Sequence, residues 1–105
     1  MRRSKIFDAV AYSTAEVTDI PLREIMSSSK KIDVAIAKGI IFYILKKEYK
    51  FKPATTMRYL QQKGWRSCVH STLLKGFQRA ERKIEEEKDE EYIEFLTEIL
   101  EMIKE

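Results

Sequence analysis

The sequence predicts an all-α fold, a compact bundle of five to six helices that contains a helix-turn-helix. The chain has only three Gly and two Pro among 105 residues, too few for the frequent turns of an all-β domain. Hydrophobic residues make up 44% and charged residues 35%, a globular composition. Apolar residues also recur at steps of three and four along several segments, which is the period of amphipathic helices.

Three helices are predicted in the first half of the chain. Ser4 is the expected cap of a helix in KIFDAVAYS (5–13), and TAEVTDI (14–20) is expected to be a loop. Pro21 opens a short helical piece, PLREIM, which the polar and basic loop SSSKK (27–31) follows. Asp33 is the expected cap of VAIAKGIIFYILKKEYK (34–50), which Pro53 closes. Because this helix is apolar over most of its circumference, we expect it in the middle of the bundle.

The second half predicts two further helices and an acidic terminal one. Thr55 or Thr56 is the expected cap of MRYLQQK (57–63), Gly64 ends that helix, and Ser67 caps the next. The apolar stripe expected in that next helix is Val69, Leu73, Phe77, Ala80 and Ile84. Residues 89–105 form an acidic amphipathic helix, expected to pack on the domain of residues 1–88.

The short helix, the break from Gly64 to Ser67 and the longer helix have the outline of a helix-turn-helix. In that motif the first residues of the second helix lie in the DNA major groove. His70, Ser71 and Thr72 lie in its expected first turn, and Lys75 one turn further. Such side chains can donate to base acceptors, and a Thr methyl can contact a thymine methyl. We therefore predict that these four residues contact bases, although residue chemistry alone leaves a purely structural role for His70 equally open.

The charge distribution also favours a polyanionic partner. Residues 1–83 contain 18 Lys and Arg against 7 Asp and Glu, a net charge of +11, whereas residues 84–105 contain 2 against 10, a net charge of −8. A strongly basic body attracts nucleic acid. The predicted phosphate-binding residues are Lys30, Lys31, Arg58, Lys63, Arg66 and Arg79.

Other kinds of chemistry find little support in the sequence. Cys68 and His70 are the only Cys and His, and on a helix two such positions point about 200° apart. They form neither a catalytic relay nor a zinc ligand pair, so we expect no enzymatic activity, no small-molecule substrate, no metal and no cofactor. A single Cys and the lack of a long apolar stretch predict a protein of the reducing cytoplasm without a membrane segment.

The order of residues resembles the C-terminal DNA-binding domain of DnaA, the bacterial replication initiator, from about Val17 to Ile84. VTDIPLREIMSSSKK is similar to the family's short helix and basic loop, VAIAKGIIFYILKKE to its central helix, and HSTLLKGFQRAERKI to its recognition helix. The resemblance implies that His70, Ser71 and Thr72 read bases and that Lys30 and Lys31 grip phosphates. Where the family has Gly-Gly-Arg-Asp, this chain has Arg66-Ser67-Cys68-Val69, so the family's acidic base-reading residue is missing. No Walker-type Gly-Lys motif accompanies the domain.

An alternative function is a helical protein-interaction module. In that case the acidic helix over 89–104 binds a protein partner, or folds back on the basic body and masks it. Opposite net charges of this size attract each other at low salt, which makes such masking physically reasonable.

Overall fold

Six α-helices joined by short turns make up the structure. The computed structural model describes residues 2–104, which contain α1 (Arg3–Thr18), α2 (Leu22–Ile25), α3 (Ile32–Lys47), α4 (Pro53–Gln62), α5 (His70–Glu81) and α6 (Glu90–Lys104). A π-helical segment, Arg82–Glu86, continues α5. No β-strand occurs in these residues, so the predicted all-α class is confirmed.

Helix α3 is the centre of the bundle, as its apolar circumference predicts. It contacts each of the other five helices. Val34, Ala37, Ile40, Ile41 and Ile44 are fully buried along it. Burial on all sides explains why this helix tolerates so few polar residues.

Helices α3 and α5 pack at very short distance because glycines lie where they meet. A Cβ added to Gly76 would be 2.8 Å from Cε2 of Phe42, and one added to Gly39 would be 3.2 Å from Cβ of Ala80. Since real Cβ atoms do not approach other atoms as closely as the first of these distances, an alanine at position 76 would force the buried Phe42 ring to shift.

The predicted loop at residues 14–20 is wrong over most of its length, because α1 continues to Thr18. The hydroxyl of Thr14 donates to the carbonyl of Val10 at 2.7 Å, and that of Thr18 donates to the carbonyl of Thr14 at 2.7 Å. Bonds of this kind slightly disfavour a helix, so the packing of α1, in which Thr14 is fully buried, outweighs the local preference for a loop. Asp19, with a φ of 56°, then ends α1.

None of the predicted side-chain caps is found. Helices α1, α3, α4 and α5 follow Arg2, Lys31, Lys52 and Val69, and none of these four residues makes a side-chain cap bond. Ser4, Asp33, Thr55 and Thr56 lie inside helices, and Ser67 lies in the turn. Pro53, expected to close the preceding helix, is instead the first residue of α4, where its fixed φ suits a helix start.

Helix α6 packs on α1 and α3. Tyr92 and Ile99 are buried there, while Phe95 and Leu96 are half-buried at the edge of the core. The apolar face of α6 is therefore part of the hydrophobic core. No helix within residues 2–104 is long and apolar enough to cross a membrane.

Polar contacts join the end of α3 to the end of α5 and to the π-helical segment that continues it. The hydroxyl of Tyr43 donates to Oε2 of Glu85 at 2.8 Å. The ammonium of Lys47 pairs with carboxylates of Glu81 at 2.8 Å and Glu85 at 3.4 Å. Burial, and then the bond to Glu85, raise the pKa of Tyr43 to about 12.

Candidate nucleic-acid interface

The turn between α4 and α5 is anchored to the core, which fixes where α5 begins. Gly64 has a φ of 124°, and the N–H of Trp65 donates to the carbonyl of Leu60 at 3.1 Å. Trp65 and Cys68 are buried. The Trp65 ring stacks on Phe42 with centroids 6.2 Å apart. Both residues therefore pack the turn, and α5 starts two residues after Cys68.

The predicted base-contacting residues lie together at the start of α5. His70, Ser71, Thr72 and Lys75 are all exposed. The opposite side of the helix is buried through Leu73, Phe77 and Ala80. Val69, predicted to begin the apolar stripe, is instead 53% exposed, because it lies in extended backbone before the helix starts.

Two further side chains on this outer face were not assigned from the sequence. At about 100° per residue, Leu74 and Gln78 project on the same side of α5 as Ser71. Leu74 is 38% exposed and Gln78 is exposed. A Gln amide can pair with adenine, and an apolar side chain can contact a thymine methyl. Their spacing of three and seven residues from Ser71 could have placed Leu74 and Gln78 on this face from the sequence alone.

A basic groove of about 580 Å³ runs along one side of α5, between that helix, the loop of residues 27–31 and α3. Its cations are Lys30, Lys38, Lys75 and Arg79. Its hydroxyl groups come from Ser28, Ser29, Ser67 and Thr72, and its aromatic rings from Phe42 and Trp65. We call this site the α5 groove; it combines positive charge with hydroxyl donors, a combination suited to phosphate oxygens.

Lys38 is the residue of the α5 groove that sequence reasoning missed. Its side chain is 7% exposed, and its ammonium donates to the carbonyl of Ser27 at 2.6 Å and to that of Ser29 at 3.0 Å. The same nitrogen lies 3.9 Å from the centroid of the Trp65 ring. Burial lowers the pKa of Lys38, whereas the neighbouring Cys68 raises it. The signal in the sequence was Lys38 as the only charged residue between Val34 and Leu45.

Lys38 fixes the loop of residues 27–31 to the bundle. Ser27 Oγ donates to the carbonyl of Glu24 at 2.5 Å and accepts from the N–H of Ser29 at 3.2 Å. With the two bonds from Lys38, the loop has a defined backbone path rather than a free one. Lys30 is exposed at this loop and lines the α5 groove.

The other predicted phosphate-binding residues lie apart from the α5 groove or are partly neutralised. Lys31 pairs with Glu24 at 3.3 Å. Lys63 pairs with Asp8 at 2.9 Å, which raises the pKa of Lys63. Arg58 lines a separate concavity at the start of α4, and Arg66 is exposed in the turn before α5. The structure thus brings together Lys30, Thr72, Lys75 and Arg79 but not all ten predicted residues.

Cys68 and His70 do not form a common site. The Cys68 side chain is buried, and burial raises the pKa of its thiol, whereas His70 is exposed. Within residues 2–104, no group of three His, Cys, Asp or Glu side chains is placed to hold a metal ion.

No family model, curated protein or solved structure matches this chain. The resemblance to the DnaA domain accordingly rests on the sequence motifs, and the function is argued from the groove and from α5.

Proposed function

We propose that this protein binds double-stranded DNA and reads its sequence through the major groove with α5, without catalysing a reaction. The observation that carries the proposal is the exposed first turn of α5 beside a groove lined by four cations. α4, the Gly64 turn and α5 then act as the helix-turn-helix, in which such a turn faces base edges and flanking cations bind phosphates.

The electrostatics of α5 support this assignment. Val69 makes no side-chain cap bond, so the first N–H groups of a 12-residue helix are left for an external acceptor. The positive end of a helix dipole stabilises a phosphate there. Within residues 2–104, Lys30, Arg66, Lys75 and Arg79 form no ion pair, so their charge is not neutralised by the protein itself.

Fluorescence anisotropy with labelled duplexes at several salt concentrations tests the proposal. Phosphate contacts by Lys30, Arg66, Lys75 and Arg79 should together contribute about −3.6 to the slope of log K against log salt, because each contact contributes about −0.9. The variant Lys75→Gln/Arg79→Gln should make the slope less steep, reducing its magnitude by about 1.8. The matched control, Arg23→Gln/Lys104→Gln, removes two exposed cations that do not line the groove and should retain the slope. Absence of binding at low salt would refute the proposal.

Base reading is tested separately with a random duplex library. The selected site should depend on His70 and Ser71, since both are exposed in the first turn of α5. His70→Ala and Ser71→Ala should relax the preference at one or two base pairs, at a cost of about 1–3 kcal/mol for each lost contact. Binding without any sequence preference would remove the base-reading part and leave the phosphate part intact.

The alternative is a protein-interaction module whose acidic helix engages a partner or masks the basic face. The exposed carboxylates of α6 favour it: Glu90, Glu91, Glu94, Glu98 and Glu101 are all exposed. Deleting α6 would also remove the buried Ile99, so charge variants give a clearer test. If α6 masks the α5 groove, Glu94→Gln/Glu98→Gln/Glu101→Gln should strengthen DNA binding strongly at low salt and little at high salt. If α6 does not mask the groove, the gain in DNA affinity should be small at low and at high salt.

A further inference from the structure

A second basic concavity lies at the start of α4. It has a volume of about 340 Å³, and four cations line it together with Phe51 and Thr55. The cations are Arg3, Lys50, Lys52 and Arg58. They come from α1, from the turn between α3 and α4, and from α4 itself, so the tertiary fold brings them together. We call this site the α4 pocket.

The charge of the α4 pocket is not balanced by the protein. Within residues 2–104, none of its four cations forms an ion pair, and no carboxylate lines it. Like charges around one concavity repel each other, and a bound anion relieves that repulsion. Thr55, in the first turn of α4, also lines the pocket and offers a hydroxyl donor.

The α4 pocket shares Phe51 with a cleft that α5 lines on the flank away from the α5 groove. This narrow apolar cleft is lined by Phe51 and Pro53 and, from α5, by Leu73, Leu74 and Phe77. The α5 groove uses Thr72, Lys75, Gly76 and Arg79 of the same helix. At about 100° per residue these two sets lie on opposite flanks of the outer face that carries Ser71 and Gln78.

We propose that the α4 pocket binds backbone phosphates of the same duplex, on the strand opposite to the one held at the α5 groove. This inference rests on the proposed DNA binding. The major groove is bordered by one phosphate backbone on each side, so a helix lying in it has both backbones as neighbours. Cations on both flanks of α5 match those two rows of charge, whereas the groove alone would hold only one strand.

A pair of matched lysine variants tests the assignment. Lys50 lines the α4 pocket and has a φ of 58°, while Lys88 lines none of the three cavities described and has a φ of 54°. Both are exposed, and Asn tolerates this left-handed conformation well. Lys50→Asn should reduce the magnitude of the slope of log K against log salt by about 0.9. Lys88→Asn makes the same change of charge at the same backbone conformation and should leave the slope unchanged.

A second pair, measured on the full chain with the same duplex, keeps the test decisive if Lys50→Asn folds poorly. Lys52→Gln/Arg58→Gln should reduce the magnitude of the slope by about 1.8. The selected DNA sequence should stay the same, because these residues contact phosphates only. Arg23→Gln/Lys104→Gln serves as its control. If the wild type binds DNA but the pocket variants have the slopes of their controls, the pocket is not a phosphate site, and the proposed function stands. If the wild type does not bind at low salt, both proposals fail.

Discussion

Replacing Lys38 by Met is the most informative single change, because it removes the ammonium that holds the 27–31 loop but keeps an unbranched side chain of similar length. The ammonium makes two hydrogen bonds to backbone carbonyls, each worth about 1.5–3 kcal/mol for a charged donor. It also lies 3.9 Å from the Trp65 ring centroid, a contact worth about 1–2 kcal/mol when partly desolvated. The gross loss is therefore about 4–8 kcal/mol.

Part of this loss is offset, because Met avoids the cost of burying an ammonium. The freed carbonyls of Ser27 and Ser29 belong to half-buried residues, so water can reach them in part. We expect a net loss of about 2 kcal/mol in the free energy of unfolding, which lowers Tm by roughly 8–16 °C in a domain of this size. Thermal denaturation followed by circular dichroism measures it.

The matched control is Lys46→Met on the same helix. Lys46 is exposed, and its ammonium lies 4.3 Å from the Phe77 ring centroid, so its loss should cost less than about 1 kcal/mol. In Lys38→Met alone, the amide of Ser29, bonded to Ser27 Oγ, should exchange faster with solvent. If the two variants melt at the same temperature and Ser29 keeps its protection, Lys38 does not organise the loop.

Three further predictions concern packing and ionisation. Gly76→Ala should destabilise by about 1–2 kcal/mol, because the new Cβ meets Phe42 at 2.8 Å and overpacking outweighs the better helix propensity of Ala. Ile99→Ala should cost about 2–5 kcal/mol and Met102→Ala about 1 kcal/mol or less, since their exposed fractions are 0% and 37%. The pKa of Tyr43 is raised to about 12. The contribution of the protonated Tyr43 to folding stability is therefore complete below about pH 10 and is lost as the pH rises toward 12. Tyr43→Phe should remove the ionisation of this tyrosine from the alkaline end of a tyrosinate absorbance titration.

The outcomes that would contradict these predictions are specific. A Gly76→Ala variant more stable than the wild type would mean that α3 and α5 are farther apart than the structure has them. Equal losses for Ile99→Ala and Met102→Ala in urea denaturation would mean that α6 is not docked through its apolar face. A titration curve unchanged by Tyr43→Phe in its most alkaline part would mean that Tyr43 does not have the partly buried, Glu85-bonded environment of the structure in solution.

Much of the helical plan follows from local patterns. The period of three and four residues predicts α5 and α6 because their apolar stripes are the faces they bury: Leu73, Phe77 and Ala80 in one, Tyr92 and Ile99 in the other. The continuous apolar character of α3 predicts its central position for the same reason. Gly64 ends the α4 segment because its φ of 124° is open to glycine and strained for other residues.

Helix boundaries were predicted less well because the expected caps compete with tertiary contacts. Thr14 was expected in a loop, yet its hydroxyl bonds within α1 and its side chain is buried. Asp33 was expected as a cap, yet α3 begins at Ile32, and the Asp33 carboxylate accepts from the N–H of its neighbour Val34. Cap preferences are worth about 1 kcal/mol, which packing of whole helices easily exceeds.

The sequence by itself determined the all-α class, the central α3, the basic character of the body and the exposed first turn of α5, because each depends on residue type and short-range period. Only the tertiary structure decided which cations share a surface. Lys30 and Lys75 meet at one groove, Arg3 and Arg58 at another, and Lys63 is paired with Asp8. Residues far apart in the chain become neighbours only when helices pack, and no local pattern encodes the close approach that Gly76 allows between α3 and α5.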